Sequence, residues 1–179
     1  MKTKIVDLSH EGKGIAKPEG IVTFIDGALP EEEVTITNIQ KKKRIQTGDL
    51  VSVDKKSCNR IEPFCPYFGE CGGCSLQHLD YEAGSHWKRV RIQKLLDKFR
   101  VNTTVAEIRK MGSPYLYRNH VQFQVQEGHI GFYRKGTHSL VEINECLIQD
   151  AMLMAFLFIL RERDLTGIEK IYVRKLDQG

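Results

Sequence analysis

The residues with the clearest potential for chemistry are the cysteines. Cys65, Cys71 and Cys74 lie in a short Gly-rich segment with the spacing C-x5-C-x2-C, and Cys146 follows far downstream. Four thiolates can bind either a tetrahedral zinc ion or a [4Fe–4S] cluster. Structural zinc sites usually combine two short cysteine pairs, so a close trio with one remote cysteine is more typical of a cluster. The spacing therefore favours a cluster, with zinc and metal-free buried thiols as the other interpretations.

The fifth cysteine, Cys58, has no second ligand at metal-binding spacing. We interpret it as a lone thiol, because no feature of the sequence points to an activated nucleophile. Residues 1–4 lead directly into a strand pattern without the apolar core of a signal peptide, which predicts a cytoplasmic protein. In that reducing compartment, clustered cysteines indicate metal binding more than disulfides.

The composition is that of an ordinary globular protein. The chain has 179 residues, 41% of them hydrophobic and 28% charged, which fits one or two domains and excludes a disordered or fibrous chain. Its net charge of +4 permits a nucleic-acid partner without requiring one. The longest apolar run, residues 151–160, is too short to span a bilayer, so we expect a buried helix and no membrane partner.

Residues 1–56 are expected to form a small β-barrel. Short alternating apolar runs are separated by turn clusters rich in glycine and aspartate, and these runs lie at residues 21–25, 34–36 and 50–53. This spacing is typical of a barrel that presents an open face to nucleic acid.

Residues 57–179 are expected to form a second domain of mixed structure. Alternating runs predict an antiparallel meander over residues 120–126, 129–134 and 140–143. A helix at 151–160 with Asp150 as its cap must be covered on several sides, because it is apolar all round. The predicted fold class is α+β: an OB-like barrel, then a domain with a meander, two helices and a cysteine-rich cluster loop.

The first of those helices is predicted at residues 81–99, with Asp80 as its N-cap. Its apolar stripe comprises Trp87, Val90, Ile92, Leu95, Leu96 and Phe99. The opposite face is basic, and such a face is more often solvated than an RNA site; it comprises Lys88, Arg89, Arg91, Lys94 and Lys98.

The last predicted strand, residues 171–174, has no obvious neighbour in the chain that follows. We therefore expect the second domain to be truncated. In that case the apolar stripe of the first helix and the helix at 151–160 should be exposed or should form a self-association contact.

Several ordered motifs resemble one family of enzymes, over nearly the whole chain. The N-terminal region resembles the TRAM domain, an OB-like RNA-binding barrel, in Gly12-Lys-Gly14-Ile-Ala16, Phe24-Ile-Asp-Gly-Ala-Leu-Pro30 and Glu32-x-Val34. The remainder is similar to the iron–sulfur 23S rRNA (uracil-5-)-methyltransferases in Cys65-Pro-Tyr-Phe-Gly-x-Cys-Gly-Gly-Cys-x-Leu-Gln77-His-x-x-Tyr81, Tyr117-Arg-Asn119-x-x-Gln122-Phe123, Gly131-Phe-Tyr-Arg134 and Glu145-Cys146-Leu-Ile-Gln149. Two positions depart from the family pattern, Glu31 and Cys58.

The resemblance implies a [4Fe–4S] cluster held by Cys65, Cys71, Cys74 and Cys146, which we interpret as a structural link rather than a redox centre. It also implies transfer of a methyl group from S-adenosylmethionine to C5 of uridine by a C-terminal domain. The motifs of that domain, with the catalytic cysteine, the base and the methyl-donor site, are absent from this sequence. We therefore expect an inactive RNA-recognition part whose partners are ribosomal RNA and its own catalytic domain. The alternatives are a tRNA substrate, or a stand-alone nucleic-acid-binding module with a structural metal site.

Ten residues are candidates for RNA contact. A basic hairpin is expected to contact phosphates or to be a solvated tip, and comprises Lys41, Lys42, Lys43 and Arg44. Phe24 and Phe132 are candidates for stacking on unpaired bases, whereas alternation makes Phe123 a core residue. The polar candidates on and beside the meander are Arg118, Gln122, Arg134 and Lys135.

Overall fold

A computed structural model describes residues 1–110 and 112–176 and confirms a mixed α+β fold. The strands in this part of the chain are β1 (Lys2–Leu8), β2 (Gly14–Ala16), β3 (Val22–Ile25), β4 (Glu33–Lys42), β5 (Ile45–Lys55), β6 (His120–Gln126), β7 (His129–Tyr133), β8 (Leu140–Glu142) and β9 (Lys170–Arg174). The α-helices are α1 (Tyr81–Lys98) and α2 (Ala151–Arg161), and a 3-10 turn spans Pro18–Gly20.

The chain forms two compact units. The first comprises Met1–Pro63 and Ser75–Ile108, and the second comprises Phe64–Cys74 and the chain from Arg109 onward. The predicted division at residues 56 and 57 therefore differs from the observed grouping, in which α1 belongs with the barrel and the cysteine segment belongs with the meander.

The first unit contains the predicted barrel. Its five strands close in the order β1-β2-β3-β5-β4, with β3 and β5 parallel and the remaining pairs antiparallel. The barrel core is built from short aliphatic side chains, chiefly Ile5, Ala16, Ile25, Val34 and Ile36. Gly14 is required for this packing, because a Cβ at that position would lie 2.8 Å from the carbonyl oxygen of Ala28.

A buried ion pair fastens the end of the barrel. The Glu32 carboxylate is fully buried and accepts hydrogen bonds from the backbone N–H of Leu29 at 2.9 Å and of Ser57 at 3.3 Å. The Arg60 guanidinium donates to both of its oxygens, through Nε at 2.5 Å and Nη2 at 2.8 Å, and Nη2 also donates to the Gly27 carbonyl at 2.7 Å. This pair joins the loop before β4 to the segment after β5.

Burial alone would raise the pKa of the Glu32 carboxyl, but the hydrogen bonds and charge of Arg60 and the N–H groups of Leu29 and Ser57 outweigh it. The pKa of Glu32 consequently lies below its ordinary value, so the buried group is ionised at neutral pH.

Helix α1 begins as predicted, because the Asp80 side chain accepts hydrogen bonds from the N–H groups of Glu82 and Ala83. The expectation that its apolar stripe is exposed is confirmed for the C-terminal part of the helix. Trp87 packs beside the small cluster of Leu8, Leu29 and Leu79, but the side chains nearer the C-terminus are 48–68% exposed, namely Ile92, Leu95 and Phe99. All residues of this helix are described, and Ser85 is the one buried residue among them.

The second unit contains the predicted meander in a four-stranded sheet of order β8-β7-β6-β9. The sequence indicated no neighbour for the last strand, but β9 pairs antiparallel with β6. The pairing runs from His120↔Arg174 to Gln124↔Lys170. Val121, Phe123 and Val125 of β6 belong to the same hydrophobic core as the buried side of α2. At Gly131 a Cβ would overlap the Val141 carbonyl, so this glycine allows the close approach of β7 and β8.

Helix α2 is covered on one side only, so the expectation that it is covered on several sides is wrong, whereas the expectation that it has an exposed apolar surface is confirmed. It begins after Asp150, whose side chain accepts from the Met152 N–H, and it buries Leu153, Met154 and Leu157. The other side is apolar and 40–63% exposed, comprising Met152, Phe156, Phe158 and Ile159. Neither α-helix in the described part of the chain has the length and hydrophobicity needed to cross a membrane.

Replacing the buried carboxylate should test its contribution to the barrel. We expect Glu32→Gln to lower the free energy of unfolding of the first unit by about 3–5 kcal/mol at neutral pH, because Arg60 would keep a buried charge without its partner. Urea unfolding followed by the fluorescence of Trp87, which packs in the same unit, would measure the change.

The matched control is Glu33→Gln, at the exposed neighbouring position on β4, which should change stability by less than about 0.5 kcal/mol. Because the folded-state pKa of Glu32 is lowered, its stabilisation is present above the pKa of the unfolded state and is lost as the pH falls through the folded pKa. The difference between wild type and Glu32→Gln should therefore shrink in acid. Equal losses in both variants would show that the ion pair does not fasten the barrel.

Candidate metal centre and nucleic-acid interface

The four cysteines singled out by their spacing lie in the same unit. Cys65, Cys71 and Cys74 lie on the loop Phe64–Cys74, and Cys146 lies between β8 and α2. All four are partly buried and none of them forms a disulfide. Cys65 and Cys74 both lie near enough to Cys71 and to Cys146 to act on their ionisation. The fold therefore brings the trio and the remote cysteine into one neighbourhood.

Contacts around Tyr67 and Glu70 hold this loop in place. The Gly72 N–H donates to the Tyr133 carbonyl at 2.9 Å, and the Lys135 N–H donates to the Glu70 carbonyl at 2.8 Å. The Glu70 carboxylate pairs with Arg134 at 2.5 Å. On the other side, the Tyr67 hydroxyl accepts from the Asn144 N–H at 2.9 Å, two residues before Cys146. The loop is thus fastened both to the end of β7 and to the segment that carries the fourth cysteine.

Backbone amides approach three of the sulfurs. The Gly73 N–H donates to Cys71 Sγ at 3.4 Å. Two amides act on Cys65, from Tyr67 and Phe68, and two act on Cys146, from Ile148 and Gln149. Amide donors of this kind are typical partners of metal-bound thiolates.

Burial is the largest influence on these thiols and raises the pKa of Cys65, Cys71 and Cys146, although the amide donors lower it. Mutual repulsion with the neighbouring cysteines raises the pKa further. These three thiols would ionise together only beside a strong positive charge, which a bound metal supplies. Within residues 1–110 and 112–176, no three His, Cys, Asp or Glu side chains have the arrangement expected around a single metal ion.

Cys58 is exposed and lies in the first unit, as expected for a thiol outside the candidate metal centre. It supplies a natural control for experiments on the other four cysteines.

The basic segment Lys41–Arg44 lies at the β4–β5 hairpin, where the sequence predicted it. All four side chains are exposed, and Lys43 adopts φ 57 at the tight turn. Phe24 lies on β3 of the same barrel, half-buried, opposite Ile15 of β2 and Thr47 of β5. The first unit therefore carries an exposed cationic tip and an accessible aromatic side chain.

The other RNA candidates lie in the second unit and differ in accessibility. Phe132 is half-buried and its ring stacks on the buried Phe123 ring at 5.6 Å between centroids. Gln122 is half-buried opposite Tyr172 of β9. Arg118 pairs through its backbone with Ile148 and Asp150.

Arg134 and Lys135 lie beside the cysteine loop rather than on an open sheet face. Arg134 is engaged with Glu70, and the Lys135 backbone is bonded to the same residue. Glu70, Tyr67 and Asn144 carry no signal in the sequence that points to this role, because each acts through a partner that is remote along the chain.

Comparison with known proteins identifies similarity to RNA methyltransferases. Residues 3–51 match the TRAM domain. An uncharacterized RNA methyltransferase of Staphylococcus epidermidis is 37% identical over 155 residues, which cover 82% of this chain and 34% of the relative. A Staphylococcus aureus protein with the same description is 37% identical over 158 residues, again 82% of this chain and 34% of the relative. The chain thus spans about a third of the length of these curated relatives.

A solved structure has a similar fold. The Pyrococcus abyssi tRNA (uracil-54, C5)-methyltransferase in complex with S-adenosyl-L-homocysteine matches with a TM-score of 0.68 at 23% identity, covering 90% of this chain and 36% of that one.

Proposed function

We propose that this chain is the RNA-recognition part of an S-adenosylmethionine-dependent methyltransferase that modifies C5 of uridine in ribosomal RNA. The observation that carries the proposal is the similarity to RNA methyltransferases over 82% of the chain, together with the TRAM match over residues 3–51. The fold shared with the tRNA (uracil-54, C5)-methyltransferase is consistent with uridine C5 as the target. That neighbour also makes tRNA the second candidate substrate.

The barrel would supply the RNA grip in this proposal. The exposed cations of the Lys41–Arg44 hairpin would contact phosphates, and Phe24 is accessible for stacking on an unpaired base. The enzyme must hold the RNA in this way because C5 of a uridine in a stacked helix is inaccessible until the nucleotide is unstacked.

Cys65, Cys71, Cys74 and Cys146 would hold a [4Fe–4S] cluster. Their donor set fits this group, because the four thiols are gathered in one unit and backbone amides approach three of the sulfurs. When bound, the cluster would supply a covalent link between the loop and the residue-146 segment, and methyl transfer requires no net electron from it. Glu70, Arg134, Tyr67 and Asn144 orient the loop for that link.

The methyl-donor site and the catalytic residues would lie in a further domain, which uses the exposed apolar side of α2 as a contact surface. Met152, Phe156 and Ile159 follow one another at helical spacing on that side and carry no charge.

Metal content should distinguish a cluster from zinc. Anaerobic purification of the chain should yield about four iron and four sulfide per molecule, with broad visible absorption. Serine at Cys65, Cys71, Cys74 or Cys146 should abolish iron binding, whereas Cys58→Ser should retain it. Zinc in place of iron, or iron retained by all the variants, would contradict the cluster assignment.

RNA binding should depend on the hairpin. Lys41→Gln with Lys43→Gln should weaken binding to a 23S rRNA fragment and should make the salt dependence of log K less steep by about 1.4, because two phosphate contacts on single-stranded RNA are lost. Lys55→Gln with Lys56→Gln removes two exposed lysines of the same unit and is the matched control. Equal effects of the two double substitutions would show that the main RNA contacts lie outside the hairpin. Tighter binding to tRNA transcripts than to the rRNA fragment would favour tRNA as the substrate.

We expect no methyl transfer by this chain alone. Incubation with S-adenosylmethionine and either RNA should release no S-adenosylhomocysteine, because the proposed catalytic domain is separate. Measurable release would show that the described fold itself contains the donor site.

A further inference from the structure

A groove of about 290 Å³ lies within the first unit, between strand β1 and helix α1. β1 contributes Asp7 and Leu8, and α1 contributes residues at helical spacing from Trp87 to Lys98. The proposed RNA grip on the hairpin does not include this groove.

The floor of the groove is apolar and partly open. Trp87 is half-buried, while Ile92 and Leu95 are 48% and 54% exposed. An 18-residue helix that leaves such side chains uncovered has an unsatisfied face. This face is a platform against which a flat apolar group can pack.

The rim of the groove is cationic. Arg91, Lys94 and Lys98 line it, against one carboxylate, Asp7. The Arg91 guanidinium lies 5.7 Å from the centre of the Trp87 ring, so charge is held beside the aromatic floor. The Lys94 ammonium lies 3.5 Å from the Asp7 carboxylate, but both side chains are exposed. An exposed ion pair contributes little to stability, so an RNA phosphate could take the place of Asp7 beside Lys94.

We propose that this groove binds single-stranded RNA, with an unstacked base against Trp87, Ile92 and Leu95 and the adjoining phosphates on the three rim cations. The inference rests on the proposed function and extends it, since it adds a second RNA site on a helix outside the barrel. Charge complementarity favours this occupant: α1 carries five Lys and Arg residues and two Asp and Glu residues. A protein surface that covered the same apolar floor would also have to neutralise those cations.

The groove contains its own spectroscopic reporter, because Trp87 is the single tryptophan of the chain. A titration with a labelled oligouridine of about 12 nucleotides would follow two signals at once. Anisotropy of the label reports binding anywhere on the chain, and quenching of the Trp87 emission reports occupation of the groove. We expect both signals to give the same Kd.

Matched variants on α1 would test the contacts. Lys94→Gln should raise Kd about threefold to tenfold and make the salt slope less steep by about 0.7, since one phosphate contact is removed. Lys88→Gln makes the same change in charge at an exposed position of α1 that does not line the groove, and should leave both unchanged. Leu95→Ala should raise Kd about fivefold with the salt slope unchanged, because it removes a base contact. Urea unfolding would confirm that each variant retains the fold.

The outcomes separate the groove from the wider proposal. If RNA binds by anisotropy while the Trp87 emission stays constant and Lys94→Gln behaves like Lys88→Gln, the groove is not an RNA site, but the proposed RNA function stands. That result would also be expected if the groove docks a protein. If wild-type chain fails to bind RNA at low salt, both the groove inference and the proposed function are overturned.

Discussion

The buried pair of Glu32 and Arg60 is the interaction on which the first unit depends. A five-stranded barrel of this size has a small apolar core, so a fully hydrogen-bonded polar pair at its end contributes much to holding one defined structure. The pair fixes the segment that follows β5. That segment in turn pairs with the chain before α1: the Ile61 N–H donates to the His78 carbonyl at 3.0 Å, and the Asp80 N–H donates to the Asn59 carbonyl at 2.9 Å. Asp80 then caps the helix, so the segment from which α1 starts is bonded to the segment that Glu32 and Arg60 hold.

The features that the sequence predicted well are those encoded locally. The caps Asp80 and Asp150, the β4–β5 hairpin and the apolar face of β6 each depend on residues a few positions apart, and all of them are confirmed. The alternation of β6 is incomplete, because Gln124 on its polar face is buried too. β9 was recognised as a strand, but its pairing with β6 was not, because a strand pattern does not identify a neighbour that lies far away along the chain. The grouping of α1 with the barrel was missed for the same reason.

In the cysteine segment too, the sequence predicts which residues matter but not the contacts that position them. Spacing predicted which cysteines belong together, and the fold places all four in one unit. Spacing did not predict how the loop is held, since that depends on Glu70 meeting Arg134 and on Tyr67 meeting the Asn144 backbone. Arg134 was a candidate for RNA contact because consecutive polar positions on a sheet face need a ligand or a covering element, and in the structure it pairs with Glu70 of the same unit. A buried or paired cation and an RNA-binding cation are alike in sequence, and only their neighbours distinguish them.

The two helices leave apolar side chains uncovered in different chemical settings, and that difference separates their partners. Along α1 the exposed apolar residues alternate with cations. A partner that covers this face must therefore combine a flat or apolar surface with negative charge, and nucleic acid has both. Along α2 the exposed residues from Met152 to Ile159 include no charge. One cation, Arg161 at the end of the helix, lies 5.9 Å from the centre of the Phe158 ring and donates a hydrogen bond to the Asn144 side chain at 3.0 Å. A phosphate backbone would meet one cation there instead of the three at the α1 groove, whereas a complementary apolar protein surface would bury the exposed side of α2 together with its own. The hydrophobic periodicity of the two helices does not reveal this distinction, which depends on where the charges lie relative to the uncovered side.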